Sequence, residues 1–328
     1  MLDVKKMITI VLAALLVVAV TGTVLAQTKL RFAHTITTED SMHLAALEFA
    51  KKIEQRTGGA IHIDVFPAGQ LGNDSQILDG VKLGTIDLAM TGNPFFTSFA
   101  PEMNVLDLPY LFRDYDHAYK VIDGPLGTEI MKALERSGVK GLGAFEIGFR
   151  NVTNNKRPIK KPEDLKGLKI RTTPNQAHLQ AFRLLGANPV AMPFTEVYLA
   201  LKTGTVDGQE NPVNLTYTMK FYEVQKYLSL TGHAYTAEDV VMNLKKYQEL
   251  KPEFQKIFHE ATSEAAVWQR KLNRDSEGQA MKAMRAAGMQ IEEQPDRDAF
   301  RKVVAEASAE EYVKRFGREM LNKIVNTR

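Results

Sequence analysis

Short runs of alternating hydrophobicity interleave with stretches of helical periodicity, and the sequence goes through this pattern twice. The first winding opens with "TKLRFAH", whose Leu30 and Phe32 share a face. A helix is expected from about Ser41, with Met42, Ala46, Phe49 and Ile53 on one stripe and Gly58-Gly59 at its end. "IHIDVF" alternates strictly, placing Ile61, Ile63 and Val65 opposite His62, Asp64 and Phe66. "DSQILDGVKLGTIDLAM" reads as a helix stopped at Gly84 and then a strand. The second winding follows the polar, proline-bearing connector "NNKRPIKKPEDL". It runs through the strand "LKIR", the helix "NQAHLQAFRLLG" closed by Gly186, and the helix "TEVYLALKTG" with Thr195 as N-cap and Gly204 as stop. It ends in the strand and loop "TVDGQEN". Strand–helix alternation of this kind builds wound α/β layers. Two windings give two α/β units of similar size.

From about Leu244 the character changes to long helices. Pro252 suits a helix start. Phe254, Ile257, Phe258, Ala261, Ala265, Trp268 and Leu272 form one continuing stripe. One helix over 252–287 would be a strut across both units; two helices broken near Ser276 fit the pattern equally.

The chain of 328 residues begins with Lys5 and Lys6, an apolar run from Met7 to Val20, and Val24-Leu25-Ala26 as a small-x-small cleavage site. This reads as a secretory signal over 1–26, too short for the ~18 apolar residues of a spanning helix. Removing it leaves 40 basic against 38 acidic residues, +2. That balance lacks the concentrated basic patch of a nucleic-acid surface. There are no cysteines, which excludes disulfides, thiolate metal sites and cysteine nucleophiles. An exported chain without disulfides fits a Gram-negative periplasm.

No G-x-S-x-G, H-E-x-x-H, P-loop or G-x-G-x-x-G is present. The seven histidines are scattered: His178 and His259 read as surface or packing residues on helices, and His62 as a solvent-facing strand residue. No cluster has metal spacing, and a metal bridge through Glu210 is not demanded by anything in the pattern. The sequence gives no support to catalysis and calls for no cofactor.

A ligand site reads more clearly. Open α/β sheets bind ligands at the carboxyl ends of strands. Arg150 ends "GAFEIGFR", Arg171 ends "LKIR", and Glu210 and Asn211 lie in "DGQENP". A guanidinium keeps its charge, so burying it demands an anion. Its planar fork suits a carboxylate through two parallel bonds. Each arginine could instead pair with a structural acid, and Glu146, four residues before Arg150 on the same strand face, is a partner of that kind.

"FRNVTNNKRPIKKPEDLKGLKIR", "ANPVAMPFTEVYLALKTGTVDGQENP", "KFYEVQKYLSLTGH", "VFPAGQLGND" and "LPYLF" together resemble the DctP-type solute-binding proteins of tripartite ATP-independent periplasmic (TRAP) transporters, in order from about residue 29 to the last helices. The resemblance implies a two-lobed α/β periplasmic binding protein fold, type II-like, with hinge strands and a long spanning helix. Lobe I would comprise 27–148 with about 237–276, and lobe II 149–236 with about 277–328. Arg171 would take the ligand carboxylate, with Arg150 and Asn211 as further contacts and Phe194 as a cleft wall. Thr35, Asp74 and Asn93 fall where relatives vary their specificity contacts, with His34 beside them. The implied role is capture of a small organic acid in the periplasm, by a monomer, for the small and large membrane subunits of a permease. A hydroxy or sugar acid and a C4-dicarboxylate both suit two arginines; the polar first-lobe group favours the hydroxy acid. An enzyme acting on small acids, drawing on His34, His233 and Glu146, and a sensor that presents its closed form to a membrane receptor are the other readings.

Overall fold

Two mixed sheets carry the two windings in the computed structural model, which describes residues 27–328; the predicted export signal over 1–26 lies outside the described residues. The first sheet has the order β2-β1-β3-β10-β4, with β1 Thr28–Ala33, β2 Ile61–Phe66, β3 Leu88–Gly92, β4 Val139–Phe149 and β10 Tyr235–Asn243. The second has the order β11-β9-β5-β8-β6-β7, with β5 Asn151–Asn154, β6 Lys169–Thr172, β7 Asn188–Ala191, β8 Gly208–Asn211, β9 Tyr227–Ser229 and β11 Gln290–Glu292. β1 runs parallel to β2 and β3, and β6 parallel to β7 and β8, while β10 and β5 are antiparallel to their neighbours. The carboxyl ends of β1, β3, β6 and β8 therefore carry the loops that line the space between the sheets.

Local chemistry sets the helices. Helix α1, Ser41–Arg56, starts where the Asp40 side chain accepts from the Met42 amide. Its buried Phe49 packs edge-to-face between Phe32 and Phe258. Helix α2, Asp74–Leu83, begins with a reciprocal capping box between Asn73 and Gln76 and stops at Gly84 in the left-handed region. Helices α3, Asn93–Phe96, α4, Tyr115–Ile122, and α5, Pro125–Met131, complete the first winding. In the second, α6, Gln176–Leu184, is followed by Gly186 at φ 77°. Thr195 does not cap the next segment. Phe194–Glu196 is a 3₁₀ turn that runs straight into α7, Val197–Lys202, so no free amide is left for its hydroxyl to cap. Helices α8, Val213–Thr218, and α9, Leu244–Glu249, flank the crossing strands.

The chain crosses between sheets at Arg150, between β4 and β5, and at 230–234, between β9 and β10. The two crossings are bonded to each other: the Arg150 amide donates to Ala234 O at 2.8 Å and the His233 amide to Arg150 O at 3.1 Å. A third crossing is α10, Pro252–Ala286, an unbroken helix of 35 residues; the break at Ser276 is absent. Its buried face departs from the expected stripe. Phe258, Ala261 and Ala265 are buried, but Trp268 is exposed, and Gln269, Arg270 and Asn273 are buried in its place. The reason is what lies opposite. The Gln269 amide group accepts from the Glu146 N–H and donates to its carbonyl, both at 2.9 Å, and Arg270 donates to Ala144 O at 3.1 Å. Further along, Ala280 and Met284 join a core with Val213, Leu228 and Met289 beside the second sheet.

Helix α11, Arg297–Phe316, likewise touches both sides. Phe300 and Val304 pack with Val152 and Ile170, whereas Tyr312 belongs to the large first core. Helix α12, Glu319–Val325, returns to α4, where Ile324 O bonds His117 at 2.9 Å and Arg113 donates to Val325 O at 3.1 Å. Phe194 and Phe221, from the second winding, sit in the large core as well, so the two halves are closed on each other.

Candidate functional site

Between the sheets lies a narrow cleft whose walls include Thr35, Asp74, Arg150, Arg171, Phe194 and Asn211. These are six of the ten residues expected from the sequence. Arg171 sits third in β6, and its side chain is fully buried. Its Nε and Nη2 both donate to Met192 O, at 3.1 and 2.8 Å, which locks the plane of the guanidinium. Nη1 is buried and has no hydrogen-bond partner among the described residues. The Phe194 ring lies 5.8 Å from the guanidinium carbon and shields one face. Burial pulls the Arg171 pKa down to about 10, with Arg150 adding and Glu210 and Asp74 opposing, so the group stays charged at neutral pH. An oriented cation with an uncommitted donor is what an incoming carboxylate needs.

Arg150 is arranged differently. It makes a buried ion pair with Glu210, through Nε to one carboxylate oxygen and through Nη2 to the other at 3.1 Å. Nη2 also donates to Glu210 O at 2.6 Å and Asn211 Oδ1 at 3.0 Å, and Nη1 to Thr236 Oγ1 at 3.3 Å. Burial pushes the Glu210 carboxyl up, but Arg150 and the His233 hydrogen bond outweigh it and hold the group well below the usual carboxylate range. The structural partner of Arg150 is therefore Glu210 and not Glu146. The parity count along β4 fails because the strand bulges. Gly148 faces Thr236 and Glu146 faces Ala237, so Ile147 is the extra residue. Ile147 lines the cleft while Glu146 points away from it. Behind the hinge, Glu146 accepts from Tyr119 at 2.7 Å, Asn273 at 2.9 Å and Arg274 at 2.9 Å.

Two more expected residues turn away from the cleft. His34 is buried against His43 at 3.1 Å, and its Nδ1 accepts from the Ile36 amide at 3.2 Å. Burial and the neighbouring His43 lower its pKa to about 3. It holds the turn that presents Thr35. Asn93 donates to Asp107 at 2.7 Å and to Met103 O at 3.2 Å, bracing the loop after β3. Conversely, the cleft contains Thr173, Thr236 and Glu238, which sequence reasoning missed. The signal for the last two was "YTAEDVVMN", a strand that is buried throughout yet carries two acids. His178, expected as a surface or packing residue, packs: it bonds Thr173 Oγ1 at 2.8 Å and is buried with its pKa lowered to about 3 by desolvation.

A wider surface depression is lined by Lys132, Lys140, Glu135 and His259. Its Lys140 pairs with Glu135 at 2.8 Å, and none of its side-chain polar atoms is buried without a partner among the described residues. It therefore lacks the unsatisfied donor that marks the interlobe cleft.

The buried acids set a pH signature. Burial pushes Asp239 up to about 8, and both its oxygens lack partners among the described residues. Burial raises Asp74 to about 6 and raises Asp107 and Glu238 well above the ordinary range. An acid whose folded pKa is raised stabilises the fold below its unfolded pKa, and that contribution is lost as pH rises through the folded value. His34 and His178, buried neutral, act oppositely below about pH 6.5. Thermal melts are expected to show the melting temperature rising as pH falls from about 8.5 toward about 5, less steeply below about 6.5, where the two histidines oppose the four acids. Asp239→Asn should flatten the alkaline limb.

The family model for bacterial extracellular solute-binding protein, family 7 (DctP), matches residues 32–315. The 2,3-diketo-L-gulonate-binding periplasmic protein YiaO of Escherichia coli K12 is 43% identical over 290 residues, 88% of each chain. A TRAP periplasmic solute-binding protein from Polaromonas sp. JS666, solved bound to D-erythronate, superposes with a TM-score of 0.89 at 37% identity, covering 92% of this chain and 99% of that one. The sugar acid binding protein DctPAm of Advenella mimigardefordensis, solved with galactonate, gives 0.87 at 33% identity, with 92% and 97% covered. The chain therefore belongs to the DctP-type solute-binding proteins of tripartite ATP-independent periplasmic transporters.

Proposed function

We propose that this protein captures a small organic carboxylate, a hydroxy or sugar acid or a C4-dicarboxylate, in its interlobe cleft and delivers it to the membrane subunits of a TRAP permease. The observation that carries this reading is the buried, uncommitted Nη1 of Arg171. In this reading the export signal over 1–26 directs it to the periplasm, where it works as a monomer. Lobe I takes the first sheet, 27–148 with about 237–276, and lobe II the second, 149–236 with residues from about 277, the last helix reaching back to lobe I. Arg171 receives the carboxylate, Asn211 and Arg150 complete the hinge side, and Phe194 closes one wall. Glu210 beside Arg171 is committed to Arg150, which supports binding rather than turnover.

Closure then works as a shift in populations: a ligand that touches both lobes stabilises the closed state by its differential affinity. Among the hydrogen bonds that already join the lobes are Thr218 Oγ1 to Asp40 Oδ2 at 2.7 Å and Asn175 Nδ2 to Asp107 Oδ2 at 2.8 Å. Thr218→Val removes the first while conserving shape. It should weaken ligand affinity by about three- to tenfold, the equivalent of one net hydrogen bond of ~1 kcal/mol, measured by calorimetry.

The direct test is a thermal-shift screen against small acids, because a ligand that binds only the native state raises the melting temperature. The hit must be recovered unchanged and in one-to-one stoichiometry after incubation. Product formation would overturn the reading in favour of an enzyme.

A further inference from the structure

Two carboxyl groups in the cleft have no task in the account above. Asp74 opens α2; its Oδ1 accepts from Thr35 at 3.0 Å, and its Oδ2 is buried without a partner among the described residues. Glu238 lies on β10, opposite Gly92 of β3. A Cβ at position 92 would lie 3.2 Å from Ile147 Cδ1 and, at 3.6 Å, in ordinary contact with Glu238 Oε2, so this carboxyl lies directly beside the glycine. Both acids are almost wholly buried and both belong to the first-sheet wall, whereas Arg171 belongs to the second. Burial raises both groups; among the charges, Asp74 raises Glu238 most, followed by Asp239 and Asp40, with Arg150 opposing, while Arg171 opposes the rise of Asp74. Two acids sharing a dry wall hold protons between them. Such a wall donates and accepts hydrogen bonds but supplies no positive charge.

The charge balance of the cleft follows. Arg150 and Glu210 cancel, leaving Arg171 as the uncancelled cation among the described residues of the cleft. One ligand carboxylate neutralises it. A second carboxylate would lie against two acids with no cation to meet it. A hydroxyl or an amide, able to donate to one oxygen and accept from the other, fits that wall.

We propose that Glu238, together with Asp74, determines specificity in this cleft, selecting acids whose end remote from Arg171 bears hydroxyl or amide groups and rejecting dicarboxylates. This rests on the acid-binding reading given above and narrows its ligand class.

Calorimetry with D-erythronate, succinamate and succinate tests it, using wild type, Glu238→Gln and Arg171→Ala. Succinamate and succinate share one skeleton and differ only in the charge of one end. Wild type is expected to bind succinamate at least tenfold more tightly than succinate. Glu238→Gln, whose amide can donate to a carboxylate, should narrow that gap at least fivefold and weaken D-erythronate. The inference is overturned if wild type binds succinate as tightly as succinamate, if Glu238→Gln leaves their ratio within twofold, or if none of the three binds. Should Glu238→Gln not fold, the wild-type comparison alone decides. Undiminished binding by Arg171→Ala would overturn the acid-binding reading itself. Loss of binding there, with an unchanged ratio in Glu238→Gln, would overturn only the role of Glu238.

Discussion

Arg171→Ala should abolish ligand binding. The substitution leaves the ligand carboxylate in a closed, dry cleft without its counter-charge, and truncating one partner of a buried hydrogen-bonded charge pair costs about 2–5 kcal/mol. That corresponds to an affinity loss of roughly thirtyfold to several thousandfold, read by calorimetry with the acid found in the screen. Arg171→Lys should recover little. Met192 O orients the guanidinium through two of its nitrogens and leaves the third for the ligand, and an ammonium group has no such fork. Near-normal affinity in Arg171→Ala would show that the carboxylate is held elsewhere. The fold itself should tolerate the change, because Arg171 has no acid partner in a hydrogen-bonded ion pair and Met192 O loses only a donor.

Glu210→Ala carries the second large effect, and on stability. Arg150 would be left charged inside the hinge with its carboxylate gone, a change that costs on the order of 3–5 kcal/mol for a buried pair. A domain of this size loses roughly 2–4 °C in melting temperature per kcal/mol, so the fall should be about 6–20 °C in calorimetric or circular-dichroism melts. The double variant Arg150→Met with Glu210→Leu should recover most of that loss, because the cost arises from the orphaned charge and not from the absence of the pair. A single variant as stable as wild type would mean that Arg150 finds another anion, and the description of the hinge would have to change.

Much of this was legible along the chain. Arg171 was readable because a short alternating strand ended on a charge, and the pleat places that charge at the sheet's carboxyl end. The helix from Ser41 followed from its apolar stripe, and the stop at Gly84 from a glycine whose left-handed backbone is a local requirement. The errors arose where distant contacts reset local rules. The bulge at Ile147 moved Glu146 to the back of the hinge and left Glu210 to meet Arg150. Gln269 is buried on α10 at the expense of Trp268 because the unpaired backbone of that bulge needs an amide. Glu238 and Asp239 were hidden by their setting: an apolar run absorbs two acids only when the fold supplies a use for them, and spacing alone does not disclose one.

The long helix has a mechanical consequence. At about 1.5 Å per residue, α10 spans roughly 50 Å. It is anchored beside the first sheet through Phe258 and Ala265 and beside the second through Ala280 and Met284, with its middle gripping the crossing strands. Two bodies bolted to one rod cannot drift apart on a loose tether. Opening must flex the rod or slide along it, so its stiffness adds to the cost of separating the two bodies set by the crossing strands and the hydrogen bonds between them.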